Sequence, residues 1–439
     1  MVTSADLPSG TQAMQAFSPE ARLLLCWARP TLSQGATARV DELLGGTLDW
    51  GCFARYAVRH GLAPLVAEHL RRAPDQRVPP PISAAFADLG QANRDRNLRL
   101  SGELLIILRA LAAAGIAVIS LKGPALAAQA DGDPTLRIIA DLDLLVAPED
   151  ALAVREILGS RGYGLQRGFE LTESDDVFVR RSDRAVVEVH RRLDSPWWPL
   201  DLPVDSLLRA PESAPLLGMK VPVLPLEDNL LYQCHHAGRH VWNRLAWLTS
   251  FAGLLERRGS DLDAEHFADR ARKLGMARAV GATLMLARDL LEIWPCPPAL
   301  ERLTATPGAA ALVRLARREL FDEQRVLTEP DPVAAAARLL GIAARAGPAP
   351  GAALKAELNI RVRRPQILRA VRQYHLLGGS GLRFLGWFLF SPKLEDVRRL
   401  GIAPSRRAAY AVARPLLLAG RLTNAVALRL MPARRDPGA

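Results

Sequence analysis

The chain predicts an α+β fold, a small mixed β-sheet core flanked by N- and C-terminal helical regions. Three observations carry this expectation. Residues 116–121 and 138–146 are apolar runs of strand length, and a short helix fits between them. A long helical pattern over about 82–114 feeds the first run, with Leu98, Leu100, Leu104, Leu105, Leu108 and Leu111 as its apolar stripe. From about 226 onward the patterning is helical. With 439 residues there is room for two or three domains. The expected divisions are an N-terminal helical region (1–114), the sheet core (115–225), a helical domain (226–346), and a linker with a basic C-terminal helical region (347–439).

Taken in order, residues 1–19 are polar. Ser18-Pro19-Glu20 opens a helix, 40–44 and 50–60 read as helical with Gly61 as a stop, and 65–72 forms another. Pro79-Pro80-Pro81 precedes the long helix. After the first strand, Lys122-Gly123 interrupts and Pro124 suits the first turn of a helix. Asp131-Gly132-Asp133-Pro134 is a turn cluster. Pro148-Glu149-Asp150 opens a crossover helix ending near Gly159 to Gly162, and 176–180 and 185–190 read as paired strands. Trp197-Trp198-Pro199 and Pro222-Val223-Leu224-Pro225 read as connecting loop. A helix then starts at Pro225-Leu226-Glu227-Asp228 and runs through about 256. Further helices are expected at 264–274, 278–291, 309–320, 366–377 and 408–418, with a linker at 347–351.

The chemistry concentrates at 116–146 and 185–190. Alternate strand residues share a face, so Asp141 and Asp143 point the same way. Adjacent carboxylates repel, and burying either unpaired is costly. Hard oxygen ligands on a rigid element suit Mg²⁺, although a solvated strand end also accommodates a D-x-D. The chain has five lysines, at 122, 220, 273, 355 and 393, among many arginines. A lysine at a strand-to-helix turn offers a compact charge for a phosphate. Gly123 permits close backbone approach, and Arg137 lies four residues before Asp141. An ordinary exposed cation is the alternative for Lys122. In the later strand Glu188 and His190 share a face, and Glu188 supplies the third acid that a two-metal site needs. His190 would orient Glu188 or contact substrate. Without metal, crowding of the three acids is expected to raise a carboxyl pKa, so that Asp143→Asn relieves repulsion. His236 and His240 stand i, i+4 without an H-E-x-x-H, and packing or substrate contact accounts for them.

These residues together resemble the DNA polymerase β-like nucleotidyltransferase superfamily. More closely they resemble its bacterial uncharacterised nucleotidyltransferase family, which carries L-K-G, an Arg, D-[IL]-D-L-[LV]-V and a later E-x-H. Here these are Leu121-Lys122-Gly123, Arg137, Asp141-Leu142-Asp143-Leu144-Leu145-Val146 and Glu188-Val189-His190. The superfamily's Gly-Ser turn is replaced by Lys-Gly. The resemblance spans about 100–255. It implies Mg²⁺-dependent transfer of a nucleoside monophosphate from a nucleoside triphosphate to an acceptor that the sequence does not name. Asp141, Asp143 and Glu188 would be catalytic and hold two Mg²⁺ ions. Lys122, Gly123 and Arg137 would bind nucleotide, and His190 would bind substrate. The rival readings are a non-catalytic interaction protein on the same scaffold and a kinase-like phosphotransferase.

Composition bounds the rest. Hydrophobic residues make up 49% of the chain, enough for a sizeable core. Cys26, Cys52, Cys234 and Cys296 are far apart, with no C-x-x-C, so neither a zinc ribbon nor a disulfide framework is indicated. Reduced thiols, the lack of a secretory pattern in residues 1–20 and the lack of a run of about 20 apolar residues lead to the expectation of a cytoplasmic protein with no transmembrane segment. Net charge is +11; from Arg345 onward 18 Arg and Lys face four acids, an excess of 14. Such a region suits a polyanion such as nucleic acid or a membrane surface, but no nucleic-acid motif accompanies it and a solvated Arg face is favoured. Its apolar run at 384–389 is expected to fold back onto the helical domain.

Overall fold

A computed structural model describes residues 14–167, 175–194, 200, 202–293 and 296–321. The Trp197-Trp198-Pro199 segment, the linker at 347–351 and the basic C-terminal region with its expected helices lie outside the described residues.

From Pro19 onward come α1 (Pro19–Cys26), α2 (Gln34–Leu44), α3 (Trp50–Arg59) and α4 (Ala63–Arg72). Ser18, Ser33 and Asp49 cap the first three by accepting a backbone N–H of the first turn, as such residues do at helix starts. Helix α5 (Pro80–Ala113) then spans two cores. Phe86 and Leu89, near its start, join the helical core with Phe53 and Tyr56. Leu100, Leu104, Ile107, Leu108 and Leu111, near its end, cover the sheet. Leu98, expected in that stripe, is exposed.

The described sheet has seven strands in the order β3-β4-β5-β2-β1-β7-β6. They are β1 (Val118–Ser120), β2 (Leu142–Val146), β3 (Tyr163–Arg167), β4 (Asp175–Arg180), β5 (Val186–His190), β6 (Glu212–Leu216) and β7 (Met219–Val223). Two central pairings, β2 with β5 and β1 with β7, are parallel and the others antiparallel, so the sheet is mixed. Helix α6 (Gly123–Asp131) joins β1 to β2, α7 (Ala151–Ser160) joins β2 to β3, and the short α8 (Val204–Arg209) precedes the β6–β7 hairpin. Alternation divides the sheet chemically. Leu142, Leu144, Val146, Val187 and Val189 form one apolar face against α5 and α7. The opposite face carries Asp143, Glu188 and His190.

The described residues end with α9 (Leu226–Arg239), α10 (Leu245–Arg258), α11 (Ala264–Lys273), α12 (Ala277–Leu291), α13 (Pro298–Thr304) and α14 (Ala309–Leu320). These share one core with α1 to α4, and Ile119 and Leu145 of the sheet reach into it. Gly253 sets how close α10 comes: a Cβ there would stand 2.2 Å from the Ala130 carbonyl oxygen of α6. No helix among the described residues is long and apolar enough to cross a membrane.

Three sequence expectations change. The second strand begins at Leu142, not 138, because the preceding backbone is held by α5. Asn93 donates to the Thr135 carbonyl (2.7 Å), Asn97 to those of Pro134 (2.9 Å) and Arg137 (2.7 Å), and Arg96 to those of Ile139 and Ala140. Carbonyls satisfied by a helix have no need of a neighbouring strand. Residues 222 and 223, read as loop, belong to β7, and β3 and β6 were not expected. Pro215 lies on the edge strand β6, where a missing N–H is tolerated, and Pro222 of β7 stands opposite Ser213 of β6. The single helix expected over 226–256 is two. It breaks at Val241 (φ 57°) and Trp242 (φ 49°), where no Gly or Pro stands. Trp242 is fully buried and its indole N–H donates to Thr283 Oγ1 at 3.0 Å, so tertiary packing imposes the break.

Candidate active site

The sheet itself builds the site. In the parallel β2–β5 ladder Asp143 stands directly beside Glu188, and His190 follows two residues on, on the same face. Asp175 of β4 pairs across from His190 and shares that face. His190 Nε2 lies 3.1 Å from Asp143 Oδ1 and 3.9 Å from Glu188 Oε2. Asp143, Glu188 and His190 each present a ligand atom within 4.8 Å of the others, and all three are buried. No other group of three or more His, Cys, Asp or Glu among the described residues is placed to hold a metal.

Lys122 enters from the turn between β1 and α6. The Leu121 N–H donates to the Asp143 carbonyl at 3.0 Å, which ties this turn to β2. Gly123 has φ +62°, and a Cβ there would stand 3.3 Å from the Asp141 carbonyl oxygen. Glycine is therefore needed both for backbone conformation and for space. The result places Lys122 Nζ 3.0 Å from Asp143 Oδ1 and 6.0 Å from the centroid of the Tyr232 ring on α9. Burial opposes the lysine's charge, but the negative charge of Asp143, supported by Tyr232 and Asp141, outweighs it and raises the ammonium pKa. Burial first, then Asp143 and Asp194, pushes the Tyr232 phenol up to about 12 against the opposing charges of Lys122 and Arg239. Both groups keep their protons at neutral pH.

The sequence-predicted residues are thus partly assembled. Asp143, Glu188, His190 and Lys122 converge. Asp141 stands one residue ahead of β2, half-buried and outside the three-residue group, although its charge is felt at Lys122. Arg137 is committed elsewhere: its guanidinium donates to both carboxylate oxygens of Asp131, to the Ala246 carbonyl (2.6 Å) and to Ser250 Oγ. It braces the end of α6 against α10. His236 and His240 form no metal pair with a third ligand and instead lie against Trp247.

Sequence reasoning missed Tyr232, Asp194 and Arg239. Asp194 Oδ2 lies 2.7 Å from His235 Nε2, and its Oδ1 accepts from Arg239 Nη1 at 2.6 Å. The signal for α9 was present: Tyr232, His235, His236 and Arg239 follow i, i+3, i+4, i+7 spacing, a polar stripe beside the apolar Leu230, Leu231 and Cys234.

The resemblance implies a divalent metal, and the donor set fits one: two carboxylates and an imidazole, buried, on rigid strands. Lys122 meanwhile supplies positive charge at Asp143. Paired strand carboxylates with an adjacent lysine form the kind of site used for metal-assisted transfer of phosphorus groups. The family model described as "Uncharacterised nucleotidyltransferase" matches residues 46–292, more than half of the chain. The chain belongs to this nucleotidyltransferase family. No curated protein matches it.

Proposed function

We propose that the protein transfers a nucleoside monophosphate from a nucleoside triphosphate to an acceptor hydroxyl, with Mg²⁺ as cofactor. The observation that carries this reading is the register pair Asp143–Glu188, with His190 and Lys122 on the same small volume. Asp143 and Glu188 hold the cation, with His190 beside them. Asp141, next along the chain, completes the acidic set for a second ion. Mg²⁺ when bound supplies charge neutralisation at the phosphates and lowers the acceptor's pKa. Lys122 exchanges Asp143 for a phosphate oxygen, a charge-assisted contact that suits its compact ammonium. Gly123 leaves space for that approach. His190 Nε2, beside Asp143 Oδ1, fixes the orientation of the carboxylate. The acceptor oxygen bonds to the α-phosphorus, the α–β bridging bond breaks, and pyrophosphate leaves. The acceptor's proton passes to solvent or to an aspartate of the site.

The test is incubation of the full chain with each α-labelled nucleoside triphosphate and a cell lysate. Label should enter an acceptor only when Mg²⁺ is present, and Asp143→Asn and Glu188→Gln should each abolish the transfer. Labelling that survives chelation or either substitution would remove the carboxylates from the reaction.

A further inference from the structure

One feature of the site plays no part in handling phosphate or metal. Beyond Tyr232, the polar stripe of α9 continues into a cluster of rings. The Tyr232 and His236 centroids are 6.3 Å apart, those of His236 and His240 5.1 Å. Trp247, from the first turn of α10, lies 5.2 Å from His236 and 4.8 Å from His240. Tyr232 is buried beneath Lys122, whereas His236, His240 and Trp247 are half-exposed. The cluster therefore starts at the phosphate-binding lysine and opens toward solvent one helical turn further on. The backbone turn that Trp242 anchors brings it together. Two consecutive non-glycine residues at positive φ, Val241 and Trp242, turn the chain back so that α10 brings Trp247 against the α9 histidines. Residues held in such conformations cluster at functional sites.

The chemistry of the cluster selects its ligand. Desolvation by partial burial first, with the charges of Lys122 and Arg239 adding to it, pushes the pKa of both imidazoles well below the usual histidine value. Arg239 Nη2, 3.4 Å from His240 Nε2, makes that nitrogen an acceptor, which also requires a neutral ring. Neutral rings are poor phosphate ligands. They are good surfaces for a flat, uncharged, aromatic group, because every nucleobase has a π-face to stack.

We propose that His236, His240 and Trp247 seat the nucleobase of the nucleoside triphosphate whose phosphates Lys122 receives, an inference that rests on the nucleotidyltransferase reading above. The half-exposed imidazoles are the contact surface, and Trp247 backs them, with Arg244 5.7 Å from its ring. Stacking of this kind tolerates any base, so the site binds all four nucleotides, purines more tightly for their larger rings.

The experiment is calorimetric titration of the full chain, with Mg²⁺, by ATP, GTP, CTP, UTP and inorganic triphosphate. The wild type should bind nucleotides about tenfold more tightly than inorganic triphosphate. His236→Ala and His240→Ala should each weaken nucleotide binding about tenfold and leave inorganic triphosphate unchanged. His240→Phe, which keeps a ring, should restore most of the loss, and Lys122→Met should weaken both ligands. Nucleotide binding that is unaltered by both alanine substitutions, or an equal loss for nucleotide and inorganic triphosphate, overturns the base seat while leaving the phosphate site standing. A wild type that binds neither ligand overturns the nucleotidyltransferase reading, and the base seat with it.

Discussion

Lys122→Met separates the lysine's structural role from its proposed catalytic one. The substitution removes an ammonium 3.0 Å from Asp143 Oδ1; the aspartate side chain is 3% exposed and the lysine side chain 22%. At an effective dielectric of about 20 the attraction at that distance is about 5–6 kcal/mol. Desolvation of the two groups takes back much of it. Deleting one partner nevertheless leaves Asp143 buried beside Glu188, with His190 still in contact. Breaking a buried pair on one side costs roughly 3–5 kcal/mol. The His190 contact and the lysine's partial exposure lower the expected loss to about 2–3 kcal/mol. The assay is urea unfolding at pH 7 in chelator, repeated with Mg²⁺. The variant should lose that stability without metal and regain more of it than the wild type does when Mg²⁺ supplies the missing charge. The folded lysine's pKa is raised, so its contribution is complete below the unfolded value of about 10.4 and is lost only as pH rises through the folded one. The deficit should therefore be flat from pH 6 to 9. A metal-free variant as stable as the wild type would refute the pairing.

Asp143→Asn should also destabilise the metal-free protein, by about 1–3 kcal/mol in urea unfolding, the reverse of the sign expected from carboxylate crowding alone. Lys122 and His190 already stand on Asp143, so neutralising it removes attraction rather than repulsion. Gly123→Ala should cost about 1–2 kcal/mol, from its positive φ and the Asp141 carbonyl 3.3 Å from the new Cβ, and should weaken nucleotide binding measured by calorimetry. Away from the site, hydrogen bonds from Arg71, acting against burial, and the charge of Arg72 lower the Glu68 pKa to about 2. Its stabilisation is present above the unfolded value of about 4.3 and lost as pH falls toward 2. Glu68→Gln should thus be roughly 1 kcal/mol less stable at pH 7, and thermal unfolding of the two proteins should converge across that acid range.

Local periodicity made parts of this architecture legible. The leucine stripe of α5 announced a helix that begins at Pro80, close to the expected 82, and strand alternation assigned Glu188 and His190 to one face. Alternation does not specify which strand lies alongside, so the register that sets Asp143 beside Glu188, across 45 positions of sequence, had to come from the fold. Two partners of Arg137, Ala246 and Ser250, lie more than 100 residues ahead, and no local pattern names them. The break between α9 and α10 is likewise non-local, fixed by Trp242 reaching Thr283. Strand β7 was hidden by Pro222, which reads as loop until its place beside the edge strand β6 is known. Lys122 was legible as unusual from the scarcity of lysine, but its partner in the folded chain is Asp143, where the sequence pointed to a phosphate.

The reaction proposed for this site breaks the α–β bond of a nucleoside triphosphate. The most direct measurement follows two labels in one reaction, one on the α-phosphate and one on the γ-phosphate, with Mg²⁺ and the acceptor drawn from the lysate. The α-label should enter the acceptor while the γ-label leaves in pyrophosphate, one pyrophosphate for each acceptor modified. Transfer of the γ-label to the acceptor with release of a nucleoside diphosphate would contradict nucleotidyl transfer and make the protein a phosphotransferase.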